Sequence, residues 1–135
     1  MSDDLRRNYS VLLVDDDRFL LDMYAMKFSS CGCAVKAISN PQEALDYLRK
    51  GGNEPDMILL DVMMPGLSGF DFLETLRTEH LAPNATIIML TNQGQDQDRE
   101  KATSLGADGY IIKASAVPSE VLQQAITIVD SRKKK

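Results

Sequence analysis

Residues 57–66 read Met-Ile-Leu-Leu-Asp-Val-Met-Met-Pro-Gly: four apolar residues run into a single acid, Asp61, and then into a turn. An apolar run without polar alternation is the pattern of a strand covered on both faces, as in a parallel sheet. Five apolar stretches recur along the chain, at 11–14 (VLLV), 34–38 (AVKAI), 57–60 (MILL), 86–90 (TIIML) and 110–113 (YIIK), and three of them are unbroken.

Helical segments separate them. The first is expected from about 18 to 30, with Leu20, Met23, Tyr24 and Phe28 on a broad apolar face. The second opens at Asn40-Pro41-Gln42-Glu43, where Asn40 can cap, Pro41 suits the first helical position and Glu43 completes a capping box. The third opens at Ser68, with Asp71 three residues on, and offers Phe70, Leu73 and Leu76 to the core. The fifth follows Pro118 and sets Val121, Leu122, Ala125, Ile126 and Val129 on one stripe. The fourth, between Asp96 and Leu105, has only Ala102 and Leu105 to bury and is expected to be held loosely. Five βα units in alternation imply an α/β fold, a doubly wound parallel five-stranded sheet with right-handed crossovers. A chain of 135 residues suits one domain. Its core is expected over about 9–131, with 132–135 as a solvated, charged tail.

Composition narrows the function. The chain is 44% hydrophobic and 26% charged, enough for one folded core. Its net charge of −5 argues against a nucleic-acid surface. No apolar run approaches the roughly 20 residues of a membrane span, and residues 1–10 lack the apolar centre of a signal peptide, so a cytoplasmic protein is expected. The two cysteines, Cys31 and Cys33, flank Gly32. So close a pair suits neither a disulfide framework nor, with His80 the only histidine, a metal site; they are expected to be reduced, partly buried thiols, with Gly32 ending the first helix.

In an open parallel sheet, ligands bind outside the carboxyl ends of the strands. The first strand ends in Asp15-Asp16-Asp17, the third in Asp61, the fourth in Thr91 and the fifth in Lys113. Singly each has an ordinary explanation: a helix cap, a turn residue, a strand-end threonine, a surface lysine. Together they put carboxylates, a hydroxyl and an ammonium on one edge. Three clustered carboxylates against one lysine leave an excess negative charge that a divalent cation would cancel, and oxygen donors with water suit Mg²⁺.

At this point the chain resembles the receiver domain of bacterial two-component response regulators, through VLLVDDD, PDMILLDVMMPGLSGFDFL, IIMLTNQ and GADGYIIKAS. The resemblance implies a flavodoxin-like sheet of order 2-1-3-4-5. It implies Asp61 as phosphoacceptor. Mg²⁺ would be held by Asp16, Asp61 and the carbonyl of Met63, and by Asp15 through water. Thr91 and Lys113 would bind phosphoryl oxygens, and Tyr110 would be the switch aromatic. The donor would be a sensor histidine kinase, a histidine phosphotransfer protein or a small phosphodonor, and the output a downstream protein target met through helix 4, strand 5 and helix 5. No nucleic acid or membrane is expected as partner, and the chain is expected to be either a stand-alone regulator acting by contact or a receiver cut from a longer chain, monomeric or weakly dimeric through that same face. It would not be an enzyme in the ordinary sense, though it would assist its own phosphorylation and dephosphorylation.

Two departures are visible. The family usually carries Pro after the lysine, often with a cis bond; here it is Ala114, where a cis bond would cost about 2.5–4 kcal/mol, so a trans bond is expected. Val117 is a poor cap ahead of Pro118. Met63 and Gln93, two residues after Asp61 and Thr91, offer no general base to a hydrolytic water, so a long-lived phosphorylated state is expected.

Three other readings stand beside this one. A degenerate receiver would bind partners without phosphate. A phosphatase of the haloacid dehalogenase type would use Asp15 and Asp17, but Phe19 breaks its motif and no acid follows Lys113 until Glu120. A flavodoxin-like nucleotide or flavin binder would need a glycine loop after the first strand, and none follows it.

Overall fold

The computed structural model describes residues 7–52, 54–91, 96–113 and 117–133. Five parallel strands form one sheet in the order β2-β1-β3-β4-β5, the order that the resemblance implies. The strands are β1 (Ser10–Val14), β2 (Ala34–Ile38), β3 (Met57–Asp61), β4 (Thr86–Thr91) and β5 (Gly109–Ile112). The helices between and after them are α1 (Arg18–Ser30), α2 (Pro41–Arg49), α3 (Gly69–Thr78), α4 (Asp96–Ser104) and α5 (Pro118–Lys133).

The register brings the carboxyl ends level. Val14 stands beside Leu60, Asp61 beside Leu90, and Thr91 beside Ile112. Every residue of β3 and β4 is buried, as unbroken apolar runs demand. Leu13, Leu59, Leu90 and Ile111 pack with α1 and α5 on one face, while Leu12, Leu60, Ile87 and Met89 pack with α2 and α3 on the other. Each such side chain contributes about 1.5–3 kcal/mol on burial, so the central strands are the most firmly held part of the molecule. β2, at the edge, buries only Ile38.

Local chemistry sets the helix starts. Asn40 Oδ1 accepts the amide hydrogens of Gln42 (2.8 Å) and Glu43 (3.1 Å), and Ser68 Oγ accepts that of Asp71 (3.1 Å). Val117 offers no capping side chain, but Glu120 reaches back to accept its N–H at 3.4 Å, half of a capping box. α4 buries Ala102 alone among its described side chains.

Two expectations change. Arg132 and Lys133 are not a loose tail. They continue α5, where Arg132 donates to the Asn84 carbonyl at 2.6 Å and Lys133 pairs with Asp56 at 3.0 Å. Arg132 also pairs with Asp108 at 3.4 Å; Asp56 and Asp108 immediately precede β3 and β5, at the opposite end of the sheet from the strand-end carboxylates. Cys31 and Cys33 are buried outright rather than partly. Their sulfurs, 3.6 Å apart, are too far for a bond of about 2.05 Å, and burial, with Cys31 alongside, pushes the Cys33 thiol up to about 12. Gly32 between them sits at φ +98°, and the Arg7 carbonyl oxygen lies 2.7 Å from where a side-chain carbon would stand.

Candidate functional site

The three consecutive acids after β1 divide their roles. Asp17 caps α1, accepting the Leu20 N–H at 3.2 Å, and is spent on the helix. Asp15 is buried; one oxygen accepts the Asp17 N–H at 2.9 Å and the other faces Lys113 at 3.0 Å. Asp16, between them, is exposed.

Asp61 is the last residue of β3, 4% exposed, with Oδ1 accepting the Met63 N–H at 3.4 Å. Lys113 arrives from the end of β5 and sets its Nζ 3.4 Å from the same oxygen. Three strands thus deliver Asp15, Asp61 and Lys113 to one point. Thr91 is buried at the end of β4. Tyr110 lies beside Met89 in the register, and Thr91 is two residues beyond Met89, so both side chains stand on one face of the sheet. Gln93, Ala114 and the Lys113–Ala114 bond lie outside the described residues.

The electrostatics are strained in a definite direction. Burial, and next the charge of Asp15, push the Asp61 carboxyl up to about 7, against an ordinary value near 3.8. For Lys113, burial favours the neutral amine, but Asp61 and Asp15 outweigh it and hold the group charged. The pocket therefore has more negative charge than one ammonium offsets. One carboxylate oxygen from each of Asp15, Asp16 and Asp61 lies within 4.8 Å of the others. An all-oxygen, acidic, partly exposed donor set of this size fits a hard divalent cation such as Mg²⁺, which keeps several waters.

Sequence reading passed over two residues. Gly69 opens α3 directly against the end of β3. A side-chain carbon there would collide with the carbonyl oxygen of Asp61 and stand 2.9 Å from Val62 Cα. Its one sequence signal is a glycine just inside a helix capped by Ser68, where a better helix former is the norm. Tyr24, read as part of the apolar face of α1, is a buried phenol. Burial raises its pKa, with Lys113 acting against this and Asp15 and Asp61 adding to it, so it belongs to the surroundings of the pocket.

Comparison with known proteins accords with this geometry. The profile of the response regulator receiver domain matches residues 11–127, and the chain belongs to that family, the signalling domains of two-component systems. Over 103 residues it is 41% identical to the transcriptional regulatory protein CpxR of Escherichia coli, covering 76% of this chain and 42% of that one. The chain spans about two fifths of the length of the curated relatives of this kind. Among solved structures it resembles the chemotaxis response regulator CheY4 of Vibrio cholerae, with a TM-score of 0.81 at 26% identity over 90% of this chain and 99% of that one. The receiver domain of the Francisella response regulator 1452 is similar at a TM-score of 0.80 and 28% identity, over 93% and 99% of the two chains. Among the described residues no helix is long and apolar enough to cross a membrane.

Proposed function

We propose that this chain is a phosphoacceptor receiver: Asp61 takes a phosphoryl group from a phosphohistidine of a sensor kinase or phosphotransfer protein, and the change is read by a downstream protein. The observation that carries this reading is the convergence of Lys113 Nζ on Asp15 at 3.0 Å and Asp61 at 3.4 Å, from three different strands. A purely structural ion pair would need one acid. Here the second, buried at the end of β3, is raised towards neutrality.

Phosphoryl transfer has a loose transition state, so the protein's part is positioning and charge neutralisation. β3, buried along its length, fixes Asp61. One carboxylate oxygen attacks phosphorus as the phosphorus–nitrogen bond of the donor breaks, and the leaving imidazole keeps the electron pair. Lys113 turns from the carboxylates to the phosphoryl oxygens, and the Thr91 hydroxyl donates to another. Mg²⁺, held by Asp16, Asp61 and the Met63 carbonyl and by Asp15 through water, would add two positive charges against those oxygens. The ring of Tyr110, on the face of Thr91, follows the hydroxyl inward, and the surface of α4, β5 and α5 changes shape. Moving such an equilibrium from 1:99 to 99:1 takes about 5.5 kcal/mol of differential stabilisation.

Chain 1–135 is read as one receiver domain. The net charge of −5 favours a protein surface over nucleic acid as its direct partner, and its α4-β5-α5 face is the one on which a weak dimer would form. Relatives named as transcriptional regulators favour a transcriptional output for the pathway it serves.

Incubation with acetyl phosphate and Mg²⁺ should add one phosphoryl group by intact mass, labile to both acid and base. Asp61→Asn should abolish the addition, and undiminished labelling in that variant would refute the assignment. Asp16→Ala should weaken Mg²⁺ binding while leaving the metal-free fold as stable as before, because Asp16 is exposed.

A further inference from the structure

α4 poses a packing problem. It is nine residues long and, among its described side chains, buries only Ala102. Apolar burial of that size does not hold a helix against a sheet. Its carboxyl end is fastened separately: Arg77 of α3 donates to the carbonyls of Leu105 at 3.3 Å and Gly106 at 2.7 Å, in the turn that follows. The body of the helix lacks bonds of that kind to its neighbours among those described.

It carries instead two cations seated on two rings. The Arg99 guanidinium carbon lies 5.2 Å from the centre of the Tyr110 ring, and Lys101 Nζ lies 4.8 Å from the centre of the Phe70 ring. Both are within cation–π range, and Arg stacks on aromatic faces especially well. The two rings come from different elements, α3 and β5. Phe70 follows Gly69, which abuts the Asp61 backbone, and Tyr110 stands on β5 three residues before Lys113. We infer that α4 is docked by Arg99 on Tyr110 and Lys101 on Phe70, and that Arg99 is the positioning residue that holds Tyr110 away from Thr91. A stack of this kind tolerates sliding and rotation better than a hydrogen bond, which suits a helix that must shift. On this inference, inward movement of the Tyr110 ring would withdraw it from Arg99, and the stack would oppose that movement.

The docking half of this inference stands on the contacts alone; the half that concerns Tyr110 rests on the proposed phosphorylation switch. Two measurements separate them. In unphosphorylated protein, Arg99→Ala and Lys101→Ala should each speed amide hydrogen exchange in α4 about two- to five-fold, the range for one exposed cation–π contact, without changing exchange in the sheet. Arg99→Lys should keep most of the protection. In the second measurement the four tyrosines are replaced by 3-fluorotyrosine, and the Tyr110 fluorine resonance is assigned by its loss in Tyr110→Phe. Arg99→Ala should move that resonance in the direction in which acetyl phosphate moves it in the wild type. The docking claim is overturned if the effects of Arg99→Ala and Tyr110→Leu on α4 exchange are additive, or if α4 shows no protection even in the wild type. The positioning claim is overturned if Arg99→Ala leaves the Tyr110 resonance in place while acetyl phosphate still moves it. Failure of the phosphoacceptor reading would show differently, as no phosphate on Asp61 by mass.

Discussion

Lys113 and Asp15, 98 residues apart in the chain, meet at 3.0 Å with side chains only 5% and 2% exposed. A buried pair of this kind adds little net stability, because both ions have left water; removing one partner is what costs, about 3–5 kcal/mol. Here the cost is compounded, since the same ammonium also faces Asp61. Lys113→Met is therefore expected to lower the stability of the metal-free protein by about 3 kcal/mol at pH 8. The loss should shrink as pH falls, when the orphaned acids take up protons. Urea unfolding at pH 5 and pH 8 checks this, and an equal effect at both would show that the loss comes from packing rather than charge.

The raised pKa of Asp61 has a sign that can be followed. In the unfolded chain the group titrates near 3.8, and in the metal-free fold near 7. Between those values the folded state holds a proton that the unfolded state has released. Stability therefore falls as pH rises through this window, by a few kcal/mol in all. Asp61→Asn removes the slope. The variant should match the wild type near pH 4 and exceed it in Tm by several degrees at pH 8. A variant less stable than wild type at pH 8 would contradict the assignment of the strain to this carboxylate. Mg²⁺ binding should weaken below about pH 7 for the same reason, because a proton then competes for Asp61; calorimetric titration at pH 6 and 8 reads the difference.

Gly69 leaves α3 no room to carry a side chain. Gly69→Ala presses on the Asp61 carbonyl and on Val62, and overpacking of this kind costs about 1–3 kcal/mol. Because the push falls on the backbone that carries Asp61, the proposed acceptor, labelling by acetyl phosphate should slow more than tenfold, a displacement of about 1 Å at a reacting group being worth that much or more. A variant that is destabilised yet labels at the wild-type rate would show that the contact supports the fold and not the site.

Met63 is an apolar side chain, 72% exposed, two residues beyond Asp61, the proposed acceptor. It has no group to orient a hydrolytic water. Met63→Asn supplies an amide at that position and should shorten the lifetime of the phosphorylated form several-fold. The check is a decay time course after removal of the phosphodonor, with stability measured alongside. Equal decay would remove Met63 as the brake.

The strands were legible because β3 and β4 are buried on both faces, so their sequences had no freedom to alternate. The capping residues Asn40 and Ser68 were legible because a cap is satisfied within three residues of itself. The strand-end set of Asp15, Asp61, Thr91 and Lys113 was legible as residue types in position, since parallel strands deliver their carboxyl ends to one edge. What tertiary structure decided lies in contacts between segments far apart in sequence. Asp15, Asp16 and Asp17 are identical in kind, and only the turn into α1 makes one buried, one exposed and one a cap. Gly69 reads as a weak helix residue until α3 is laid against Asp61. Tyr24 reads as core until Lys113 is brought near it. Arg132 and Lys133 read as a loose tail because Asp56, Asn84 and Asp108, the groups that hold them, come from other turns of the chain. The fourth helix reads as having only Ala102 and Leu105 to bury, and only the packing of α4 sets Arg99 and Lys101 over rings from β5 and α3. Local propensity and periodicity are written along the chain, whereas pairings of charge, ring and backbone across the fold exist only once burial has brought those segments together.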